Sequence, residues 1–292
     1  MTRREFLHSS AAATLFMATQ PASRMAVEGY IFQQHAQSLH KPLRDIVGDA
    51  LKMSRVAGFH NIELNPSFFA ADIRAQTLDA LAANSLAMPS VYVGGAMHTQ
   101  PGAKNTITAA LEISQLCGPF GCKAVVTNPD PKSNDAEKTD AELAIESDSL
   151  NRMGRVLLDE GFQLRVHHHT PQLVNKAREW RYLLQHTDPS YVSICVDVDW
   201  AYEGGFEPLA FLREVGSRLS EIHVRSARDK VWLEDLEDSD IDYRAIASYL
   251  KHHHLKPLIV VELAYRPQTV ITRSLQDDLS ISRRYAQGIF GG

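Results

Sequence analysis

Eight short apolar runs alternate along the chain with longer segments of helical periodicity, and this alternation constrains the fold more than any other feature. The β-prone runs cover residues 29–33, 61–64, 87–93, 124–127, 163–169, 193–197, 221–224 and 258–263. The helical patterns cover residues 42–57, 73–84, 105–117, 139–159, 171–185, 208–215, 243–253 and 274–287. Such alternation predicts parallel βαβ units, and eight units predict closure into a single (β/α)8 TIM barrel.

An open, doubly wound sheet is the alternative to a barrel. Such a sheet usually carries a glycine-rich phosphate loop after its first strand, whereas residues 33–42 read QQHAQSLHKP. The chain has 292 residues, 44% of them hydrophobic, and no linker-like change of composition divides it. A single barrel, which commonly uses about 250 residues, accounts for that length.

The first 26 residues have the character of a cleaved export signal. Arg3 and Arg4 precede an apolar stretch of roughly ten residues, a usual length for a signal peptide and too short to span a bilayer. The pattern resembles a bacterial twin-arginine signal, and an amphipathic helix is the alternative. We therefore expect a signal at residues 1–26 and a catalytic barrel at residues 27–292. The mature protein should be periplasmic, without stable membrane association.

Ionisable side chains stand at the ends of the last four predicted strands. They are His167, His168 and His169; Asp197 and Asp199; His223 and Arg225; and Glu262. Side chains two positions apart in a strand share a face, and the active sites of TIM barrels form at the carboxyl ends of the strands. Ionisable groups inside apolar strands are costly to bury unless they are paired or bind a metal. The pattern therefore predicts a functional site at this end of the barrel.

His167, Asp197, His223 and Glu262 form a mixed nitrogen and oxygen donor set. Such a set suits a divalent ion of the Mn, Co, Mg or Zn kind. An ion of this kind can polarise a carbonyl or stabilise an enediolate. The alternatives are a structural hydrogen-bonding role for each histidine, and an ion pair between the carboxylates and a neighbouring arginine such as Arg225.

Five stretches carry a resemblance to a known family: GFHNIELN (58–65), RVHHHT (165–170), SICVDVDW (193–200), EIHVRSARD (221–229) and DIDYRAIASYLKHHHLKPLIVVEL (240–263). They resemble the sugar phosphate isomerase/epimerase family of the xylose isomerase-like barrel superfamily. The resemblance implies a TIM barrel with metal ligands on its last four strands. Asp197, His223 and Glu262 stand where the family places the ligands of the last three.

The chain departs from the family pattern at three positions. His167 replaces the glutamate of the fifth strand, in a His-x-His pattern similar to the inosose dehydratase branch. Trp200 stands where a histidine is frequent, and Arg225-Ser226 replaces Lys-Asp. In the epimerase branch two metal-bound glutamates act as the acid/base pair, and this chain has only one of them, Glu262. This argues against a symmetrical two-glutamate epimerase, although a histidine can serve as the partner because its pKa lies near neutrality.

Further roles are assigned to side chains at strand ends and in the loops that follow. Proton transfer is assigned to three candidates: Glu262, His169 and Glu63. Substrate contacts are assigned to four: Arg225, His98, Asn128 and Trp200. Gln34 follows the first predicted strand and is a further candidate for a polyol contact. A structural ion pair is the alternative for Glu63, and neutralisation of a buried carboxylate is the alternative for Arg225.

These features predict a metal-dependent isomerase or epimerase that removes a proton next to the carbonyl of a neutral keto-sugar, cyclitol or sugar derivative. The alternatives are a dehydratase or lyase that uses the same intermediate, and a metal-free carbohydrate-binding protein. The net charge of −5 argues against a nucleic-acid partner and against a DNA-repair endonuclease. The sequence leaves the oligomeric state open, a homo-oligomer included.

Overall fold

The computed structural model describes residues 24–133 and 136–291. The strands in this part of the chain are Met25–Glu28 (β1), Asn61–Glu63 (β2), Ser90–Tyr92 (β3), Ala124–Thr127 (β4), Gln163–Val166 (β5), Val192–Asp197 (β6), Leu219–Val224 (β7), Ala227–Arg228 (β8), Val231–Trp232 (β9) and Leu258–Val261 (β10). Eight of them form one parallel sheet in the order β2-β1-β10-β7-β6-β5-β4-β3. The other two, β8 and β9, pair antiparallel as a separate hairpin.

The two ends of this strand order, β2 and β3, also meet each other. Asn61 and Ala87 form a parallel bridge. Backbone hydrogen bonds run from Ile62 N to Ala87 O at 2.9 Å and from Tyr92 N to Leu64 O at 3.0 Å. We call this junction the β2–β3 seam. The seam closes the sheet, so the predicted single (β/α)8 barrel is confirmed.

Helices connect the strands and surround the barrel. They are Tyr30–Ser38 (α1), Val47–Val56 (α2), Arg74–Ala83 (α3), Gln100–Cys117 (α4), Asp140–Asp159 (α5), Thr170–His186 (α6), Val198–Glu203 (α7), Pro208–Val215 (α8), Tyr243–His252 (α9) and Leu275–Phe290 (α10). Inside α6, the backbone at residues 174–177 is not helical. Short 3₁₀ turns lie at Leu43–Asp45, Pro66–Phe69, Gly118–Phe120 and Gly216–Arg218.

Local sequence signals explain where the helices begin and end. At the start of α5, Glu142 N donates to Thr139 Oγ1 and Thr139 N donates to Glu142 Oε2, which is a capping box. Asp242 caps α9 by accepting from Ala245 N at 2.9 Å. Gly161, just after α5, has φ +83°, a conformation in which a Cβ atom is strained. Signals of this kind act within a few residues and can therefore be read from the sequence.

The first strand lies earlier than predicted. The prediction placed it at residues 29–33, but β1 is Met25–Glu28 and Tyr30–Ser38 is α1. The apolar run continues from the strand into the helix, where Ile31 and Phe32 are fully buried. A continuous buried run does not show where a strand gives way to a helix, which is why the prediction was wrong here.

Two further consequences follow from the position of β1. The boundary between residues 26 and 27 falls inside this strand, whereas Arg3 and Arg4 of the predicted export signal lie outside the described residues. Gln34 lies inside α1 and not in a loop. Its side-chain amide accepts from Tyr265 N at 2.7 Å and donates to Tyr265 O at 2.8 Å, which is a structural role. Among the described residues, no helix has the length and apolar character needed to cross a bilayer.

Candidate metal centre

Four polar side chains from adjacent strands meet at the carboxyl ends of the barrel strands. They are His167 after β5, Asp197 at the end of β6, His223 in β7 and Glu262 after β10. We call them the donor cluster. Asp197 is the register partner of His223. One donor atom from each of the four side chains lies within 4.8 Å of the others. The four side chains that the sequence predicted to converge do so.

His223 is held on both sides of its ring. Its Nδ1 lies 2.8 Å from Glu262 Oε2. Its Nε2 lies 3.1 Å from Glu63 Oε1 and 3.3 Å from Glu221 Oε1. Burial lowers the pKa of His223, but Cys195, Glu221 and Glu262 together raise that pKa well above its ordinary value. Nδ1 is therefore the nitrogen that faces the donor cluster, and Nε2 faces Glu63 and Glu221.

Arg225 links two carboxylates of the donor cluster. Its Nη2 donates to Asp197 Oδ2 at 3.0 Å and to Glu262 Oε1 at 3.1 Å. The other oxygen of Asp197 accepts from Asp199 N at 2.8 Å and from Trp200 N at 2.9 Å, and so caps α7. Burial raises the pKa of Glu262, but Arg225 and His223 hold it below its ordinary range. The ion pair that the sequence offered as an alternative is therefore present.

His167 is buried, and neither of its ring nitrogens has a hydrogen-bond partner among the described residues. Its ring lies 4.8 Å from that of His223 and 4.9 Å from that of His169, centroid to centroid. Burial and the neighbouring His223 and His169 lower the pKa of His167 well below its ordinary value. The side chain is thus a neutral imidazole with an unused lone pair, and an unsatisfied buried polar group of this kind costs about 1–3 kcal/mol.

The donor cluster fits a divalent cation on this evidence. A metal ligand must be a neutral imidazole or an ionised carboxylate. His167 and Glu262 are in those states, whereas His223 and Asp197, whose pKa values are raised, would release a proton when an ion binds. Ligand histidines generally donate the other ring N–H to a carboxylate, as His223 does toward Glu63 and Glu221. Bonds of about 2.0–2.4 Å would let one ion reach all four donors.

The three consecutive histidines have different surroundings. His168 points away from the donor cluster and packs against Trp180, at a centroid distance of 4.6 Å, and against Phe211, at 5.0 Å. His169 lies on the cluster side, where Nδ1 is 3.4 Å from Asn128 Nδ2 and the ring is 5.2 Å from that of Trp200. Burial lowers the pKa of His169 to about 4. As alternation predicted, His167 and His169 lie on the cluster side and His168 on the opposite side.

Below the donor cluster lies a second layer of buried polar side chains. Glu63 accepts a short hydrogen bond from Ser90, and Ser90 Oγ also lies 3.2 Å from Glu221 Oε1. Glu221 pairs with Arg165. Burial and Glu221 raise the pKa of Glu63 to about 7. Glu63 is fully buried against His223 Nε2, which corresponds to the structural alternative named for it.

Glu28 and Tyr92 also belong to this end of the barrel, although the sequence did not single them out. Burial, with the charges of Glu262 and Glu63, raises the pKa of Glu28 to about 8. The ring of Tyr92 meets that of His167 edge-on at 5.8 Å.

Each of the four predicted substrate contacts has a buried polar atom without a hydrogen-bond partner among the described residues, Arg225 Nε and His98 Nδ1 included. Trp200 Nε1 and Asn128 Oδ1 are buried and have no hydrogen-bond partner among the described residues. Their neighbour in both cases is His169. His98 lies in the loop after β3, where burial and Lys138 lower its pKa. The charged groups that shift this pKa lie after β4 and in α5 and α6, not in the donor cluster.

Comparison with known proteins agrees with this architecture. A family model described as xylose isomerase-like TIM barrel matches residues 52–284. Over 175 residues the chain is 24% identical to inosose dehydratase 2 of Bacillus cereus, a match that covers 56% of this chain and 58% of that protein. The chain therefore spans little more than half the length of that curated relative.

Two solved structures share the fold. A sugar phosphate isomerase/epimerase from Parabacteroides distasonis ATCC 8503 superposes with a TM-score of 0.70 at 16% identity, covering 94% of this chain and 97% of that chain. The 3-keto-D-glucoside 4-epimerase from E. coli, in its apo form, superposes with a TM-score of 0.66 at 14% identity, covering 89% and 99%.

Proposed function

We propose that this chain, which belongs to the xylose isomerase-like TIM barrel family, is a metal-dependent isomerase or epimerase of a small neutral keto-sugar, cyclitol or sugar derivative. The observation that carries the proposal is His167, a buried imidazole whose two nitrogens have no hydrogen-bond partner among the described residues and which lies among three further donors, with Nε2 3.9 Å from Asp197 Oδ2. His167, Asp197, His223 and Glu262 would hold the ion, and the candidates are Mn, Co, Mg and Zn. When bound, a divalent ion supplies polarisation of the substrate carbonyl and neutralises negative charge on its oxygen.

The pairing of the nearby cations supports a neutral substrate. Arg225 contacts three carboxylates, and Arg266 pairs with Glu203 at 2.6 Å. After β4, Lys138 pairs with Glu146 at 2.5 Å. A phosphoryl group would have to displace a carboxylate from one of these cations, whereas a neutral sugar would not.

Unpartnered polar atoms beside His169 support recognition of hydroxyl groups. Trp200 Nε1 can only donate and Asn128 Oδ1 can only accept, so together they match the two sides of a hydroxyl group. A site with buried hydrogen-bonding groups discriminates strongly against molecules that cannot pair with them. The flat face of Trp200 adds an apolar surface for the carbon skeleton of a sugar.

His169 is the group that we assign to the proton. Because burial lowers its pKa to about 4, it is neutral at pH 7 and has a lone pair that can accept a proton, while the same burial makes it a weaker base than an exposed histidine. The C–H bond next to the carbonyl breaks, the proton passes to His169 Nε2 and the electron pair passes to the carbonyl oxygen. Return of the proton to the same face of the carbon gives exchange, and delivery of a proton to the opposite face by a second acid gives epimerisation. Return to the former carbonyl carbon gives isomerisation, with the hydroxyl proton of the neighbouring carbon passing to the former carbonyl oxygen. Arg225 keeps Asp197 and Glu262 in place throughout.

A dehydratase acting on an inosose or keto-sugar is the second candidate function. The similarity to inosose dehydratase 2 and the histidine at position 167 both favour it. The two reactions share the first step and differ in the second, in which a hydroxyl group two carbons from the carbonyl leaves as water. A metal-free carbohydrate-binding protein is the third candidate, and a periplasmic location is part of the proposal in each case.

Solvent exchange tests the function directly. The purified protein, loaded with Mn²⁺ or Zn²⁺, is incubated in D₂O with neutral ketoses, inososes and 3-keto-glycosides and followed by NMR. We expect deuterium next to the carbonyl, with a new stereoisomer for an epimerase, a new ketose or aldose for an isomerase, or loss of water for a dehydratase. Metal-stripped protein is the control. Absence of exchange in a protein shown to hold one metal ion would exclude proton abstraction, and absence of any bound metal would favour the binding protein.

A further inference from the structure

We infer that Trp232 is a positioning residue, which holds Arg225 in the orientation that lets it contact Asp197 and Glu262. Trp232 ends β9, the second strand of the hairpin that follows β7. Two guanidinium groups lie against its indole ring. The central carbon of Arg225 is 4.0 Å from the ring centroid, and that of Arg266 is 3.8 Å from it. Guanidinium groups at this distance from an aromatic face are attracted electrostatically and stack well on it.

The indole N–H of Trp232 ties the same groups together. Trp232 Nε1 donates to Asp199 Oδ2 at 2.7 Å and to Glu203 Oε1 at 3.0 Å. Asp199 Oδ2 also lies 3.4 Å from Arg225 Nε, and Glu203 pairs with Arg266. Each carboxylate therefore contacts both the indole and one of the two arginines. Trp232 therefore cannot rotate without the loss of two hydrogen bonds.

The hairpin itself is anchored at its base. Leu233 N donates to Ser226 O at 2.9 Å, and Asp240 N donates to Ala227 O at 3.0 Å. Its tip is a two-residue turn, Asp229-Lys230, with φ of 51° and 61°. Turns of this left-handed kind match the twist of paired strands. Trp232 is 7% exposed. The hydrogen bonds at the base of the hairpin hold its backbone, and hence the indole, beside the two arginines.

The orientation of Arg225 matters because one nitrogen, Nη2, donates to two carboxylates at once. Those carboxylates belong to Asp197 and Glu262, which are members of the donor cluster, so this part of the inference rests on the proposed function. Residues that orient ligands typically change metal affinity by roughly 10–100-fold when they are replaced. Trp232 acts one step further out, through Arg225, and its effect should be smaller.

A pair of variants tests the role. Trp232→Leu removes the stack and the N–H, whereas Trp232→Phe keeps an aromatic face and removes only the N–H. Trp180→Phe is the matched control, because Trp180 is fully buried and its Nε1 has no partner among the described residues. We expect the Kd for Mn²⁺ to rise less than roughly 10-fold in Trp232→Leu and by less in Trp232→Phe. Trp180→Phe should lower only the melting temperature.

Crystal structures of the metal-free variants make the test independent of metal binding. In Trp232→Leu we expect Arg225 Nη2 to leave at least one of Asp197 and Glu262, and in Trp232→Phe we expect it to lose its contact with Asp199. Retention of all three contacts in both variants overturns the inference, whether or not the wild-type protein binds Mn²⁺. Failure of the wild-type protein to bind any divalent ion would instead overturn the proposed metal dependence.

Discussion

His223 Nδ1 lies 2.8 Å from Glu262 Oε2, although 39 positions separate the two residues in the chain. Strands β7 and β10 are neighbours in the barrel, where His223 pairs in register with Val260, and Glu262 follows two positions further on. Glu63 and Glu221 occupy the opposite edge of the same imidazole ring. The ring cannot turn over without breaking contacts on both edges, which fixes the nitrogen that it presents to the donor cluster.

Asp197→Asn should weaken metal retention without unfolding the protein. The amide oxygen can still accept from the N–H groups of Asp199 and Trp200 and cap α7. The loss of negative charge should lower the affinity for a divalent ion by roughly 10-fold or more, because replacing even a residue that only contacts a ligand typically lowers metal affinity by about that factor. Metal content after dialysis and thermal melting measure the two effects. The exposed pair of Arg44 and Asp72 supplies the control variant, Asp72→Asn. Equal metal content in Asp197→Asn and wild type would contradict the ligand role.

His169→Ala and Glu262→Gln test the assignment of the proton. Loss of a positioned general base typically costs about 10²–10⁴-fold in rate. We expect that loss for deuterium exchange into a bound keto-sugar with His169→Ala, while metal retention stays near wild type. Glu262→Gln should lose exchange and metal together, since Glu262 belongs to the donor cluster. If both variants exchange at the wild-type rate, the base lies elsewhere.

Glu28→Gln should change how the stability of the metal-free protein depends on pH. The pKa of Glu28 is raised from 4.5 to about 8 by burial and by the charges of Glu262 and Glu63. An acid with a raised pKa in the folded state destabilises the fold progressively as pH rises from about 4.5 to 8. The variant should therefore melt above wild type at pH 8, with the difference shrinking toward pH 4. Glu112→Gln, at an exposed position, is the control, and a pH-independent difference for Glu28→Gln would show that ionisation is not the cause.

Replacement of both Arg3 and Arg4 by lysine should leave the protein in the cytoplasm. A twin-arginine signal is read as an address by its transport machinery and does not act as an anchor. Cell fractionation compares the variant with wild type. The exchange conserves charge, so an amphipathic helix would tolerate it. Unchanged accumulation in the periplasm would rule out the twin-arginine signal.

Eight of the ten helices in the described part of the chain could be predicted, because their ends depend on local chemistry, whereas α1 and α7 were not predicted. Thr139, Asp242 and Gly161 act on backbone groups within a few residues of themselves. The position of β1 could not be predicted, because the buried run through Ile31 and Phe32 is compatible with both a strand and a helix. Only the pairing of β1 with β2 and β10 decides between them, and pairing is a property of the closed barrel.

The donor cluster was predictable for a different reason. Alternation along a strand and the common level of parallel strand ends place side chains without knowledge of how the helices pack. The same alternation leads from His223 to Glu221, two positions earlier on the same face. Glu28 could not be found in this way, because the first strand was predicted at residues 29–33 and Glu28 lies in β1, at residues 25–28. Trp232 could not be found in this way either, since a hairpin after β7 has no counterpart in a regular (β/α)8 repeat.

The β2–β3 seam affects where the barrel wall opens locally. The amides of Ile62, Ala87 and Tyr92 cross it through separate hydrogen bonds, whereas β7 and β10 share a ladder of four consecutive register pairs. Amide protons in short, interrupted pairings exchange with solvent through local opening at a lower free energy than global unfolding requires. We expect deuterium to enter the backbone first at this line and last at β7 and β10. Because Ser90 and Glu63 join across the same line, bound metal should slow deuterium uptake there through His223.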